Sequence, residues 1–259
     1  MASKTRNRLV DRIAQMRSVR RWQKAAEYCE VAPLTELRDL QANAHQLREK
    51  LDRVEAAAFM RLTRPRIGSK AMAQKPRGTD WDWRPEIWAR PLFPSGYAGM
   101  NTKSKLGDEV TFFHDCRLNE MTLRQLRNTD EDDLAPFSLR LEAFGFRGSF
   151  ISLAIDMPQS SLKDLSRQHI IQVRAQGRFE REMELYARLN IQNGPNTEQE
   201  TSRIHFDEAE GVAEFDLAYT KFNESRVEKM WVDLIFEGVS MNQILLRDLT
   251  MLRYKRAEL

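Results

Sequence analysis

Leu185-Tyr186-Ala187-Arg188-Leu189-Asn190-Ile191-Gln192 is the stretch that decides the fold. Leu185, Ala187, Leu189 and Ile191 are apolar, and Tyr186, Arg188, Asn190 and Gln192 between them are polar. A period of two belongs to a strand that buries one face and wets the other. The same alternation runs through Phe137-Leu139-Leu141, Ile151-Leu153-Ile155, Ile171-Val173-Ala175, Ala213-Phe215-Leu217 and Val232-Leu234-Phe236, with a last strand around Gln243–Arg253. Turn residues such as Asn193-Gly194-Pro195-Asn196 and Glu237-Gly238 separate them. Short alternating strands with turn signals between them predict an antiparallel β-sandwich of jelly-roll type.

Upstream of about residue 80 the period changes. Leu9, Ile13, Met16, Trp22, Ala26 and Cys29 recur at helical spacing, opposite a basic face of Arg6, Arg8, Arg12, Arg17, Arg20, Arg21 and Lys24. Pro33 breaks this helix, and Thr35 is placed to cap the next one, with Glu36 and Asp39 at its positive end. Leu37, Leu40, Ala44, Leu47, Leu51, Val54 and Ala58 then follow a 3-4-3-4 spacing, a narrow seam that packs against a partner helix. The expected plan is a helical hairpin over 1–62, a linker over 63–80 punctuated by Pro65, Gly68, Pro76 and Gly78, and a β-sandwich over 81–259.

The formal charge of +3 conceals an asymmetry: residues 1–77 hold 18 Lys/Arg against 8 Asp/Glu, and the rest of the chain is net acidic. A basic arm on an acidic body suits an anionic surface or its own body. Cys29 and Cys116 lie far apart without a CxxC, so neither a disulfide framework nor a structural zinc is expected. The start of the chain lacks a signal-peptide pattern and no run reaches the roughly 20 apolar residues of a membrane span. A cytoplasmic location is expected, with signal-less export as the alternative.

Candidate chemistry lies on the polar faces. Tyr186, Arg188, Asn190 and Gln192 point one way along one strand, and Gln172 and Arg174 along its expected neighbour, while Trp231 shares parity with Asp233. A tryptophan among amides, arginines and a carboxylate suits a sugar: the ring stacks on pyranose C–H groups and the planar polar groups bind hydroxyls. The expected ligand residues are Trp231, Tyr186, Arg188, Asn190, Gln172 and Arg174; Trp231 packed under a cover is the plainer reading. Trp81, Trp83 and Trp88 are read as a plug at one end of the sandwich, or else a stacking platform. The oxygen-rich loop 190–198 fits a tight turn better than a calcium or polyol site. His114 and Cys116 share a strand face that Asp115 does not; no metal set emerges, and nucleophilic use of Cys116 by a nearby histidine stays as the minor alternative. Glu214-Phe215-Asp216 begins a motif found in jelly-roll glycosidases, but Ala218 and Thr220 stand where its last glutamate would be. Phosphate loops, nucleophile elbows and dinucleotide fingerprints are absent from the sequence.

Thr79–Pro85, Phe113–Cys116, Gly148–Pro158, Ala187–Asn196 and Met241–Thr250 resemble a family of uncharacterised bacterial proteins, a domain of unknown function. The resemblance covers nearly the whole chain, helices included, and implies no activity. More loosely, Trp231–Gly238 and Ile244–Leu249 resemble the closing strands of jelly-roll carbohydrate-binding modules. Three functions are carried forward: a non-catalytic glycan or polyol binder, a structural or adaptor protein that binds a protein partner or a second copy through 37–58, and a polysaccharide-active enzyme. Nucleic acid is the least favoured partner. No cofactor is expected.

Overall fold

The computed structural model of the chain describes residues 2–63, 75–130 and 133–256. Most of the expected linker, residues 64–74, lies outside the described residues, as do the side chains of Arg6, Arg8 and Leu9. The chain divides into two compact units, Met1–Glu55 and Ala56–Leu259.

In the first unit, α1 (Ala2–Tyr28) and the start of α2 (Leu34–Thr63) face each other. Trp22, Ala26 and Cys29 line one side of their shared groove, and Leu37, Leu40 and Ala44 the other. Tyr28 donates to Glu36 Oε2 at 2.8 Å across the connection. The α2 start differs from expectation. The Leu37 N–H donates to the Pro33 carbonyl at 3.0 Å, so Pro33 stands at the cap, the helix begins at Leu34 and Thr35 lies within its first turn. A proline's fixed φ and missing N–H suit a helix entrance, which is why it prevails over a hydroxyl cap two residues later.

The second unit is mainly β, as the alternation predicts. Its strands are β1 (Thr79–Trp83), β2 (Gly96–Ala98), β3 (Ser104–Leu106), β4 (Val110–His114), β5 (Met121–Arg127), β6 (Phe137–Ala143) and β7 (Ile151–Asp156). After them come β8 (His169–Phe179), β9 (Glu184–Asn193), β10 (Asn196–Arg203), β11 (His205–Asp207), β12 (Glu210–Asp216), β13 (Val227–Glu237) and β14 (Asn242–Lys255). A short helix, α3 (Glu86–Ala89), follows β1. One sheet has the order β11-β12-β8-β14-β6-β5-β2, with β1 also pairing β14; the other runs β10-β9-β13-β7-β4-β3.

The inward residues of both sheets form one core. Phe112, Leu153, Ile155, Val232 and Leu234 from the six-stranded sheet are fully buried with Ile171, Val173, Phe215 and Met251 from the eight-stranded sheet. All but Phe112 and Met251 are positions that the sequence alternation marks as apolar, and the burial of the whole set supplies the main drive to fold.

Trp88 is fully buried and donates its Nε1–H to the Leu246 carbonyl at 3.0 Å. Trp81 and Trp83 pack partly buried against the core, and Trp81 Nε1 donates to Ser160 Oγ at 3.2 Å. All three tryptophans therefore serve the interior or its margin. Beside them, Arg253 clasps β1 to the sheet: its Nε and Nη2 donate to Asp80 at 2.9 and 3.1 Å, and its Nη1 to the carbonyls of Ser161 and Lys163.

Candidate functional site

The six-stranded sheet presents its outer face in three cross-strand rows. Gln199, Asn190, Trp231 and Asp156 form the first. Thr201, Arg188, Asp233 and Ala154 form the second, and Arg203, Tyr186, Ile235, Ser152 and Phe113 the third. Side chains two apart on a strand share a face, so the register alone fixes these rows.

A groove of about 570 Å³ lies on this face. Trp231, Arg188, Asn190 and Asp233 line it together with Gln199, Ile235, Ala154, Ser152, Phe113 and Phe150. Trp231 is half-buried and stands on the outer face, not between the sheets. Lys229 Nζ lies 5.5 Å from the centre of its ring and pairs with Asp156 at 2.7 Å, which restrains the indole and sets a cationic donor beside it.

The polar floor is wired into one network. Asp233 is buried, and its Oδ2 accepts from Arg188 Nε at 3.0 Å, Arg188 Nη2 at 2.8 Å and Asn190 Nδ2 at 3.0 Å. Gln199 Nε2 donates to Asn190 Oδ1 at 2.9 Å. Asn190 is fully buried, whereas 38% of the Arg188 side chain remains exposed. A buried carboxylate held by an arginine and an amide keeps a fixed geometry.

The far wall depends on a loop. The Asp115 carboxylate accepts from Ser149 N at 2.7 Å, Ser149 Oγ at 2.6 Å and Phe150 N at 3.3 Å. These bonds, the Ser149 hydroxyl above all, hold the Asp115 carboxyl below the usual carboxylate range. They also hold Phe150 at the groove edge. Gly148 permits the close approach, because a Cβ there would stand 2.9 Å from the Cys116 backbone nitrogen.

His114 and Cys116 share the buried side of this segment, as parity requires, with Asp115 on the other. His114 Nε2 engages the Met100 carbonyl at 2.7 Å, and Cys116 Sγ accepts from Arg147 N at 3.3 Å. Burial works to raise the Cys116 thiol, but backbone N–H groups of Arg147, Asn119 and Leu118 outweigh it and leave the pKa lowered. Among the described residues no group of three or more His, Cys, Asp or Glu side chains could hold a metal ion.

The residues singled out from the sequence fall into two sets. Trp231, Arg188 and Asn190 line the groove; Tyr186 shares their face but lies outside the lining, its hydroxyl donating to Glu184 Oε2 at 2.5 Å. Gln172 and Arg174 belong to the other sheet. Their strand, β8, pairs with β12 and β14 and not with β9. Although only residues 180–183 separate β8 from β9, the chain turns a corner between sheets there instead of making a hairpin. Gln172 is buried against Glu214, donating at 2.7 Å. Sequence reasoning missed Phe113, Phe150 and Gln199 as groove residues. Phe113 follows the fully buried Phe112, so its parity marked it as outward.

The family model for DUF6478, a family of unknown function, matches residues 1–259. The chain belongs to that family. The curated proteins contain no match to this DUF6478 member. Among solved structures, distant similarity links it to the enzymatically active domain of tailspike protein 4 from bacteriophage CBA120, with TM-score 0.40 and 7% identity over 56% of this chain but 19% of that one. The CBM22-1 xylan-binding domain of Paenibacillus barcinonensis Xyn10C is similar at TM-score 0.36 and 6% identity, over 62% of this chain and 94% of that one. The family 11 carbohydrate-binding module of Clostridium thermocellum, solved with a mixed-linked tetrasaccharide, gives TM-score 0.37 and 7% identity, over 59% and 92%. Among the described residues no helix is long and apolar enough to cross a membrane.

Proposed function

We propose that the β-sandwich of this DUF6478 protein binds a glycan or polyol, without catalysis, in the groove on the outer face of its six-stranded sheet, and that the helical arm positions it. One observation carries this reading: a half-buried Trp231 stands outside the core beside a polar floor already organised around Asp233. An indole offers an apolar platform for C–H groups, and the exposed part of Arg188 offers donors for hydroxyls. Hydrolysis with retention would need two carboxylates about 5 Å apart. Among the described residues lining the groove, Asp233 is the one carboxylate, and it is bound to Arg188 and Asn190. The proposal includes a cytoplasmic location, tested by cell fractionation.

The experiment is a polysaccharide array followed by titration calorimetry on the full chain. At least tenfold weaker binding is expected for Trp231→Ala, about 1.4 kcal/mol, with an unchanged melting profile. Failure of the wild-type protein to bind any polysaccharide, or undiminished binding by the variant, overturns the reading.

A second reading rests on the arm. Ile13, Met16, Leu51 and Val54 stay 46–67% exposed at positions that continue the apolar stripes of the two helices. We infer that these stripes meet a second copy or a protein partner, making the arm an assembly element. Sedimentation velocity should show a concentration-dependent oligomer that Leu47→Asp abolishes. A monomer at every concentration rejects self-association.

A further inference from the structure

The groove crosses the strands obliquely. In the first row its lining comes from β10, β9 and β13, as Gln199, Asn190 and Trp231. In the second it comes from β9, β13 and β7, as Arg188, Asp233 and Ala154. In the third it comes from β13, β7 and β4, as Ile235, Ser152 and Phe113. Each step of two residues along the sheet moves the lining one strand sideways.

Sheet geometry converts this into a length. With strands about 4.8 Å apart and about 3.4 Å per residue, Trp231 and Phe113 lie roughly 17 Å from each other, and Gln199 and Phe113 roughly 23 Å. This is several times the width of one sugar ring. Between Trp231 on β13 and Phe113 on β4 the track crosses β7 over small side chains, Ala154 and Ser152, and Phe150 lines it as well. The charges of the floor are already matched, since Arg188 pairs with Asp233.

We propose that the occupant is an extended, neutral chain of at least three β-1,4-linked pyranose units, laid diagonally from Trp231 over Ala154 to the Phe113–Phe150 wall. This rests on the glycan-binding reading of the groove and adds the length, linkage and charge of its ligand. A straight track needs a ribbon-like chain: β-1,4 linkage between equatorial positions gives one, whereas an α-1,4 linkage from an axial to an equatorial position coils out of it. Equatorial hydroxyls also leave the ring faces apolar for Trp231 to stack upon. An anionic chain would have to compete with Asp233 for Arg188.

The test is calorimetric titration of the full chain with xylose and glucose and with their β-1,4-linked oligosaccharides of up to six units. Affinity should rise at least a hundredfold between the disaccharides and the longest members, then level off. Ala154→Phe fills the middle of the track from the sheet surface. It should weaken the longest ligand at least thirtyfold while the melting temperature stays near wild type; should that variant melt early, Ser152→Phe serves in its place. A monosaccharide that binds as tightly as the longest oligomer overturns the inference, as does full affinity in a folded track-filling variant. Binding to array polysaccharides with none to either series also overturns it, and leaves the broader reading standing. Failure of every polysaccharide removes that broader reading instead.

Discussion

The two outer faces of the sandwich arise from the same alternation and come to opposite ends. On the eight-stranded sheet the polar groups are spent on one another and on β1. Arg84 Nε and Nη2 donate to the buried Asp248 at 2.7 and 2.9 Å, and Gln172 and Tyr254 both donate to Glu214 Oε1 at 2.7 Å. Even Leu252, opposite Gln172 on β8 and Asp82 on β1, is 1% exposed. On the six-stranded sheet the corresponding rows keep a groove open with Trp231 at its side. Outward polarity thus describes a face without giving its purpose: one face fastens the structure, the other holds a groove.

The sharpest way to break this comparison is to damage one face and ask whether the other notices. Asp248→Ala strips the partner from an arginine that is partly screened by solvent, so the cost falls below the roughly 3–5 kcal/mol of a fully buried pair, at about 2–3 kcal/mol. Chemical denaturation should show this loss while glycan affinity, corrected for the folded fraction, stays unchanged. Equal damage to binding would mean that the two faces act as one.

Asp233→Ala should do both kinds of harm. Asn190 loses an acceptor and Arg188 a counter-charge, for about 1–3 kcal/mol of stability, and binding should weaken at least as much as in Trp231→Ala. A variant that loses stability yet keeps its affinity would show the floor to be a fastening after all.

The smallest effect is acid sensitivity, and each face has its own source. On the eight-stranded side, burial raises the Asp80 carboxyl, but the hydrogen bonds and charge of Arg253 outweigh it and hold the pKa below the ordinary value. On the groove side, Asp115 is held down by Ser149. A depressed carboxyl contributes stability that is present above about pH 4 and is lost as pH falls through the lower folded value. Melting curves between neutral pH and about pH 3 should therefore show a shallow acid limb, flattened in part by Asp80→Asn and in part by Asp115→Asn. Glu109 and Asp133, whose carboxyls burial raises, act in the opposite sense and lose stability as pH rises through their folded values. An acid limb unchanged in both asparagine variants would remove these contacts from the account.

Much of this was legible in the sequence for a simple reason. A strand period of two states which side of a sheet each residue faces, and so Leu153, Ile155 and Leu234 were readable as core and Trp231 and Arg188 as surface. The same period is silent about which sheet a strand joins. Gln172 and Arg174 carry the same polar parity as Arg188, and only the corner after Phe179 separates them from it. Phe150 was hidden for another reason: its place depends on Asp115, 35 residues earlier, reaching the loop that carries it. Local patterns cannot announce a bond between distant turns.

The strand β14, residues Asn242–Lys255, lies between β8 and β6 and also receives β1. Among the described residues no strand follows it, and it completes the middle of the larger sheet. During folding, β8 and β6 lack their common neighbour until it takes its place between them. Pairings so distant in sequence are slow to form, so β6 and β8 each keep an open edge until β14 docks. A truncation upstream of Asn242 would therefore leave a polypeptide unable to close its larger sheet.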